Sequence, residues 1–162
     1  MDKLWAPWRV EYIRNPGTGC FFCKGLQAKD MHKSLIIEKA SLAFTIMNRY
    51  PYNNSHLMIA PVRHVGRIDE LDDEELLEIH RLLNRSIKAI NLTMQPQGYN
   101  IGVNQGRVAG AGVIDHIHIH LVPRWQGDTN FMPILAETKV VSEALQETYE
   151  KIRQGLRRID KP

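Results

Sequence analysis

Apolar residues follow two rhythms along this chain, short dense runs and a repeat of about three and a half residues. The short runs Ser34–Lys39, Leu42–Met47, His56–Ala60, Tyr99–Asn104 and His116–Val122, rich in β-branched and apolar side chains, predict five strands. The long period is clearest over 72–92, where Leu76, Ile79, Leu82, Leu83, Ile87 and Ile90 share one helical face. Asp72 and Glu75 stand at capping-box spacing before it, and Pro96 and Gly98 follow its end. A second helix is predicted over 138–159, with Val141, Leu145, Tyr149, Ile152 and Leu156 on one side. Residues 1–32 keep neither rhythm. Pro7, Pro16, Gly17, Gly19 and Gly25 break them, which predicts an irregular N-terminal arm. Strands, helix, strands, helix is the order of an α+β domain on an antiparallel sheet, not of alternating βαβ units.

Length and charge narrow the reading further. At 162 residues the chain suits one domain, 1–162, around one core. Its 43% hydrophobic and 24% charged residues are ordinary globular proportions. A net charge of +3 is too mild to predict a nucleic-acid partner. No apolar stretch approaches the roughly 20 residues that span a bilayer, so no membrane partner is expected. The opening Met1-Asp2-Lys3-Leu4-Trp5-Ala6-Pro7-Trp8 lacks the apolar core of a signal peptide, and a cytoplasmic location is expected.

The segment that carries chemistry is Asp115-His116-Ile117-His118-Ile119-His120-Leu121-Val122. Alternation along a strand puts His116, His118 and His120 on one face, with Ile117, Ile119 and Leu121 on the core side. Three imidazoles in a row are poor packing material and must find hydrogen-bond partners or stay wet. Two uses fit them, a metal site of the strand His-x-His kind or a phosphate site. Asn104-Gln105-Gly106 and Gly110-Ala111-Gly112 lie just upstream, and glycine lets backbone N–H groups approach an anion closely. The only cysteines, Cys20 and Cys23, form Cys-Phe-Phe-Cys. A structural disulfide is not expected in a reducing compartment, which leaves metal binding or redox chemistry.

The run His116–Val122 has the pattern His-φ-His-φ-His-φ-φ, with φ apolar, and resembles the signature of the histidine-triad family. The likeness extends through Leu42–Asn48, His56-Leu57-Met58-Ile59-Ala60-Pro61 and Gly98–Gln105 in the family's order. Asn48-Arg49-Tyr50-Pro51-Tyr52-Asn53, the Trp-rich start and Pro123–Phe131 resemble the bacterial branch close to diadenosine tetraphosphate phosphorylases and hydrolases. The resemblance implies the histidine-triad fold, a five-stranded antiparallel sheet with two main helices, and a homodimer formed through the long helix and the sheet.

It also implies roles. The middle triad residue, His118, would attack the α-phosphorus of a nucleotide and carry a nucleotidyl-histidine intermediate. A neutral imidazole is a competent nucleophile near pH 7. His120 and His56 match phosphate-side histidines, Asn48 and Gln105 match polar residues at the phosphate or ribose, and Gly110 and Gly112 belong to the phosphate-side loop. Ile46 and Met58 lie on strands that wall the base pocket in relatives, though both also suit plain core packing. Relatives carry Ser or Thr just upstream of the triad. Here that stretch reads Gly112-Val113-Ile114-Asp115, so a hydroxyl role at the leaving group is not transferred.

Some members, and the related galactose-1-phosphate uridylyltransferases, hold structural zinc on a Cys pair, a His after the third strand and the first triad His. The matching set here is Cys20, Cys23, His64 and His116, two thiolates and two imidazoles that suit closed tetrahedral coordination. The expected activity is transfer or hydrolysis of a nucleotidyl group on a dinucleoside polyphosphate, with magnesium accompanying the substrate. Phosphoramidase action on small nucleotide conjugates and non-catalytic nucleotide binding are the alternatives. Trp5, Trp8 and Tyr12 are read as pinning the arm to the body, and His80 as a solvated helix residue. Lys151, Arg153, Arg157, Arg158 and Lys161 read as a solvated basic face able to attract polyanions.

Overall fold

The five predicted strands form a single antiparallel sheet in the computed structural model, which describes residues 19–128 and 143–161. Strands β1 (Ile36–Lys39), β2 (Ala43–Met47), β3 (Leu57–Pro61), β4 (Gly98–Val103) and β5 (Ile119–Arg124) lie in the order β1-β2-β3-β5-β4. The pairing register aligns Ile46 with Met58, Met58 with His120, and His120 with Gly102. These four positions form one transverse row, and the side chains of Ile46, Met58 and His120 therefore share a face of the sheet.

The long helix, α3 (Asp73–Met94), packs on the opposite face and begins as the sequence predicts. Asp72 and Glu75 form a capping box, and Ile79, Leu82, Leu83 and Ile90 are buried. Leu76, assigned to that apolar face, is instead exposed. The C-terminal helix, α4 (Leu145–Ile159), packs on α3, where a Cβ on Gly155 would collide with the Ala89 carbonyl. It starts at Leu145 rather than at 138. Residues 138–142, the arm residues Trp5, Trp8, Tyr12, Pro7, Pro16 and Gly17, and the Thr129–Phe131 stretch lie outside the described residues.

The expectation of an irregular segment through residue 32 is corrected. Helix α1 (Phe21–Gln27) follows the first cysteine, and a single turn, α2 (Met31–Ser34), is capped by the Asp30 side chain. Gly25 does not break α1. It lies within the helix where an added Cβ would meet Ile46 Cδ1 at 3.4 Å, so it lets the helix approach the sheet closely. The helix persists because its second residue, Phe22, is wholly buried against Phe44 and the triad. No helix among the described residues is long and apolar enough to cross a membrane.

Candidate functional site

The triad is not a continuous stretch of strand, which corrects the expected His116–Val122 boundary. Strand β5 starts at Ile119, and His116 and His118 precede it in a segment outside the ladder. That segment is tied to the loop after β3 through Ile117 N–H, which donates to the Val65 carbonyl at 2.7 Å. Gly66 in the same loop lies where a Cβ would come within 3.0 Å of the Ile114 carbonyl oxygen, so the two segments are in close contact. His116 and His118 are both buried rather than wet, and each has found partners.

Backbone groups fix the tautomers. His116 Nε2 lies 2.8 Å from the Pro61 carbonyl oxygen, an acceptor only, so Nε2 carries the proton and Nδ1 is a free lone pair. His118 Nδ1 lies 2.9 Å from the His116 carbonyl oxygen, which assigns its proton to Nδ1 and leaves Nε2 bare. Tyr52 N–H donates to His56 Nδ1 at 3.0 Å, so neutral His56 is protonated on Nε2. That nitrogen lies 2.9 Å from His120 Nδ1, which must then accept, and His120 keeps its proton on Nε2. Burial is the main force holding the pKa values of His116 and His118 below the usual imidazole value, against the opposing pull of their carbonyl partners. The site therefore presents one bare imidazole nitrogen, on His118, beside one imidazole donor, on His120. Their ring centroids are 4.8 Å apart.

A cavity of about 710 Å³ opens over these two rings. His118, His120, Asn48, Met58 and Gly112 line it. Lys24, Arg49 and Tyr50 also line it. Sequence reasoning did not single out these three, because an isolated cation or tyrosine carries no pattern. His56 is buried behind His120 and stacked under Tyr52 at 4.7 Å, and it does not border the cavity. Asn48 Oδ1 accepts from Tyr50 N–H at 2.9 Å, and Asn48 Nδ2 lies 3.4 Å from His56 Nδ1.

Three of the proposed contact residues lie elsewhere. Ile46 is on the cavity face of the sheet but is covered by α1, so its packing is core packing. Gln105 uses its Oε1 to accept from Ile68 N–H at 2.8 Å. Gly110, with φ of +87°, closes the turn Arg107–Ala109. Neither of these two is among the cavity's lining residues.

Cys20, Cys23, His64 and His116 converge beside Phe22, with their four donor atoms all within 4.8 Å of one another, and Cys20 and His64 also line the cavity. His116 Nδ1 is 3.4 Å from Cys20 Sγ and 3.7 Å from Cys23 Sγ, and His64 Nδ1 is 3.3 Å from Cys23 Sγ. A tetrahedral ion with usual Zn–S and Zn–N lengths separates sulfur from nitrogen by about 3.6 Å, so the spacing fits a closed S2N2 metal site. The tautomer fits as well. Pro61 takes the Nε2 proton of His116, the outer hydrogen bond that a ligating histidine ordinarily makes, and leaves Nδ1 to the metal. Both cysteines are free thiols, and burial followed by the proximity of Cys20 raises the Cys23 pKa, a cost that a cation would offset. Among the described residues no other cluster of this kind occurs.

The HIT domain model matches residues 29–127. AP-4-A phosphorylase of Mycobacterium tuberculosis H37Rv is 34% identical over 158 residues, covering 91% of this chain and 80% of that protein. Adenosine 5'-monophosphoramidase hnt1 of Schizosaccharomyces pombe is 32% identical over 105 residues, covering 65% and 74%. Among solved structures, a Zn-bound histidine triad family protein from Mycobacterium smegmatis shares the fold with a TM-score of 0.68 and 21% identity, over 88% of this chain and 96% of that one. The matched domain spans every strand of the sheet and all three triad histidines, and the chain belongs to the histidine-triad (HIT) domain family.

Proposed function

We propose that the chain is a nucleotidyl transferase or hydrolase that cleaves dinucleoside polyphosphates, diadenosine tetraphosphate foremost, through a nucleotidyl-histidine on His118. The observation that carries this reading is the His118–His116 hydrogen bond, which leaves Nε2 bare on a ring facing a cavity large enough for a nucleotide. The likeness to the mycobacterial AP-4-A phosphorylase supports the choice of substrate.

In the first step the Nε2 lone pair of His118 attacks the α-phosphorus. The N–P bond forms as the bond to the bridging oxygen breaks, and its electron pair leaves with the distal nucleotide. His120 Nε2–H donates to a phosphoryl oxygen, where negative charge grows. His56 acts through His120, holding its Nδ1 as an acceptor so that the proton stays on Nε2. Asn48 adds an amide at the cavity wall, while Lys24 and Arg49 offset the charge of the remaining phosphates. In the second step water or inorganic phosphate attacks the same phosphorus and frees the imidazole.

The metal we assign to Cys20, Cys23, His64 and His116 is zinc, and its role is structural. With all four positions taken by protein atoms, it would anchor α1 to the segment that carries His118. Magnesium would arrive with the polyphosphate. The exposed edge strand β4, with Ile101 49% exposed, is the surface we assign to homodimer formation, together with the exposed Leu92 of α3. A cytoplasmic location agrees with the reduced cysteine pair.

The deciding experiment is product analysis of diadenosine tetraphosphate with the pure protein, with and without phosphate. ADP plus ATP formed only with phosphate identifies a phosphorylase. AMP plus ATP formed in water identifies a hydrolase, whereas two ADP would mean attack at a β-phosphorus and overturn the α-phosphorus step. No turnover in either condition, with cleavage of adenosine phosphoramidate instead, would replace the reading with the phosphoramidase activity named for the yeast relative.

A further inference from the structure

Phe22 touches both the candidate metal cluster, through His116, and the attacking histidine, His118. It sits between Cys20 and Cys23 on α1, is 0% exposed, and lies with its ring centroid 4.8 Å from that of His118 and 4.9 Å from that of His116. The planes of Phe22 and His118 are tilted by 43°. Phe22 also borders the cavity.

The chemistry proposed for His118 changes the charge of its ring. Before attack the imidazole is neutral, with its proton on Nδ1. Once Nε2 has given its lone pair to phosphorus, the ring keeps that Nδ1 proton and becomes a phosphoimidazolium cation. The Nδ1 partner is the neutral His116 carbonyl, not the carboxylate that balances an imidazolium in a Ser-His-Asp triad. The cation forms in a buried place, where uncompensated charge is costly. An aromatic ring within about 6 Å offers its negative quadrupole to such a cation, and little to a neutral ring.

We propose that Phe22 is a positioning residue whose aromatic ring stabilises the positive charge that develops on His118 during nucleotidyl transfer, with the Cys20–Cys23 anchor holding the ring in place. This rests on the His118 reading above. The interaction strengthens only as the transition state is approached, so it acts on the rate of the covalent step and not on substrate binding. The anchored cysteines then have a purpose beyond fastening the arm, since a short helix tied at both Cys20 and Cys23 delivers the residue between them to the nucleophile.

The test replaces Phe22 in the full-length, zinc-loaded protein with 4-fluoro-, 3,5-difluoro- and 3,4,5-trifluorophenylalanine, which drain the ring's quadrupole with little change of shape. The single-turnover rate of nucleotidyl-enzyme formation from diadenosine tetraphosphate is read beside KM, zinc content and Tm. We expect a stepwise fall, reaching about 3- to 30-fold at the trifluoro variant, with KM, zinc and Tm unchanged. A flat series overturns the proposal. If the fluorinated proteins fold poorly, Phe22→Tyr against Phe22→Leu makes the same comparison, with the rate kept in the first and lost in the second. Equal rates overturn it. His118→Gly, run alongside, separates the two readings. If that variant turns over as well as wild type, the nucleophile assignment itself fails. If it is inactive while the Phe22 series is flat, only the role of Phe22 fails.

Discussion

The backbone carbonyl of His116 accepts the Nδ1 proton of His118 at 2.9 Å, while the His116 ring turns its own bare Nδ1 toward Cys20 and Cys23. One residue therefore serves two sites. Its side chain belongs to the candidate metal cluster, and its main chain sets the tautomer of the proposed nucleophile. Anything that loosens the cluster reaches His118 through a single peptide unit.

Replacing both thiols tests that link. Cys20→Ser/Cys23→Ser is expected to lose bound zinc and to melt lower by roughly 10 °C, because loss of a metal site ranks among the largest single-site effects. Turnover should fall with it, as His116 and Phe22 lose their anchor. Elemental analysis and calorimetry on the same sample check this. Zinc retained at full occupancy in the double variant would remove the assignment.

His118→Ala is expected to lower turnover by about 10³-fold or more while nucleotide still binds, since the covalent route disappears but the cavity stays. Calorimetric titration with a non-hydrolysable nucleotide, beside a turnover assay, separates the two effects. Unchanged turnover would mean that another group attacks phosphorus.

The 2.9 Å contact between His56 and His120 predicts coupling between their variants. His120→Ala should cost about 100-fold in kcat by removing a charge-stabilising donor. His56→Ala should cost less, about 10-fold, because it only frees the tautomer of His120. The double variant should be little worse than His120→Ala alone, because the 2.9 Å contact with His120 is the shorter of the two links from His56 to the cavity wall, the Asn48 amide at 3.4 Å being the other. Additive losses in a double-mutant cycle would show that His56 acts independently.

Asp128 gives a pH-dependent signature of stability. The Arg124 guanidinium, at 2.6 Å, is the main cause of a carboxyl pKa lowered to about 2, with Trp125 N–H and the Asn53 amide assisting. A folded-state pKa below the unfolded value contributes stability that is complete above the unfolded pKa and fades as pH falls through the folded one. Asp128→Asn should therefore lower Tm by about 4–8 °C at pH 7, for a loss of about 2 kcal/mol. The gap between the two proteins should hold to about pH 5 and close between about pH 4 and pH 2. A gap that stays constant down to pH 2 would mean that the ionised carboxyl contributes nothing.

Sequence alone determined what depends on local periodicity and on residue type. The five strands follow from short runs of β-branched and apolar residues set between breaks, and the start of α3 follows from Asp72 and Glu75. The candidate metal cluster follows from residue types carried by a family pattern, and the four chosen residues do meet. Tertiary structure decided what depends on which backbone group happens to be opposite. Nothing in the spacing of His56 and His120 says that Tyr52 N–H occupies one face of His56 and forces its proton onto the other. Nor does spacing alone show that β5 begins only after His118, because the Ile117 N–H that a strand ladder would use goes to Val65. Ile46, on the right face in the right row, was removed from the cavity by a helix that the glycines of the arm appeared to forbid, and the absent side chain of Gly25 is what let that helix approach. Phe22 looked like one aromatic of a Cys-Phe-Phe-Cys run, and only the folded chain, by laying it across two triad rings, distinguished it from its neighbour Phe21. Periodicity records which side of an element faces inward, whereas the identity of the atom met there is a property of segments far apart in the chain.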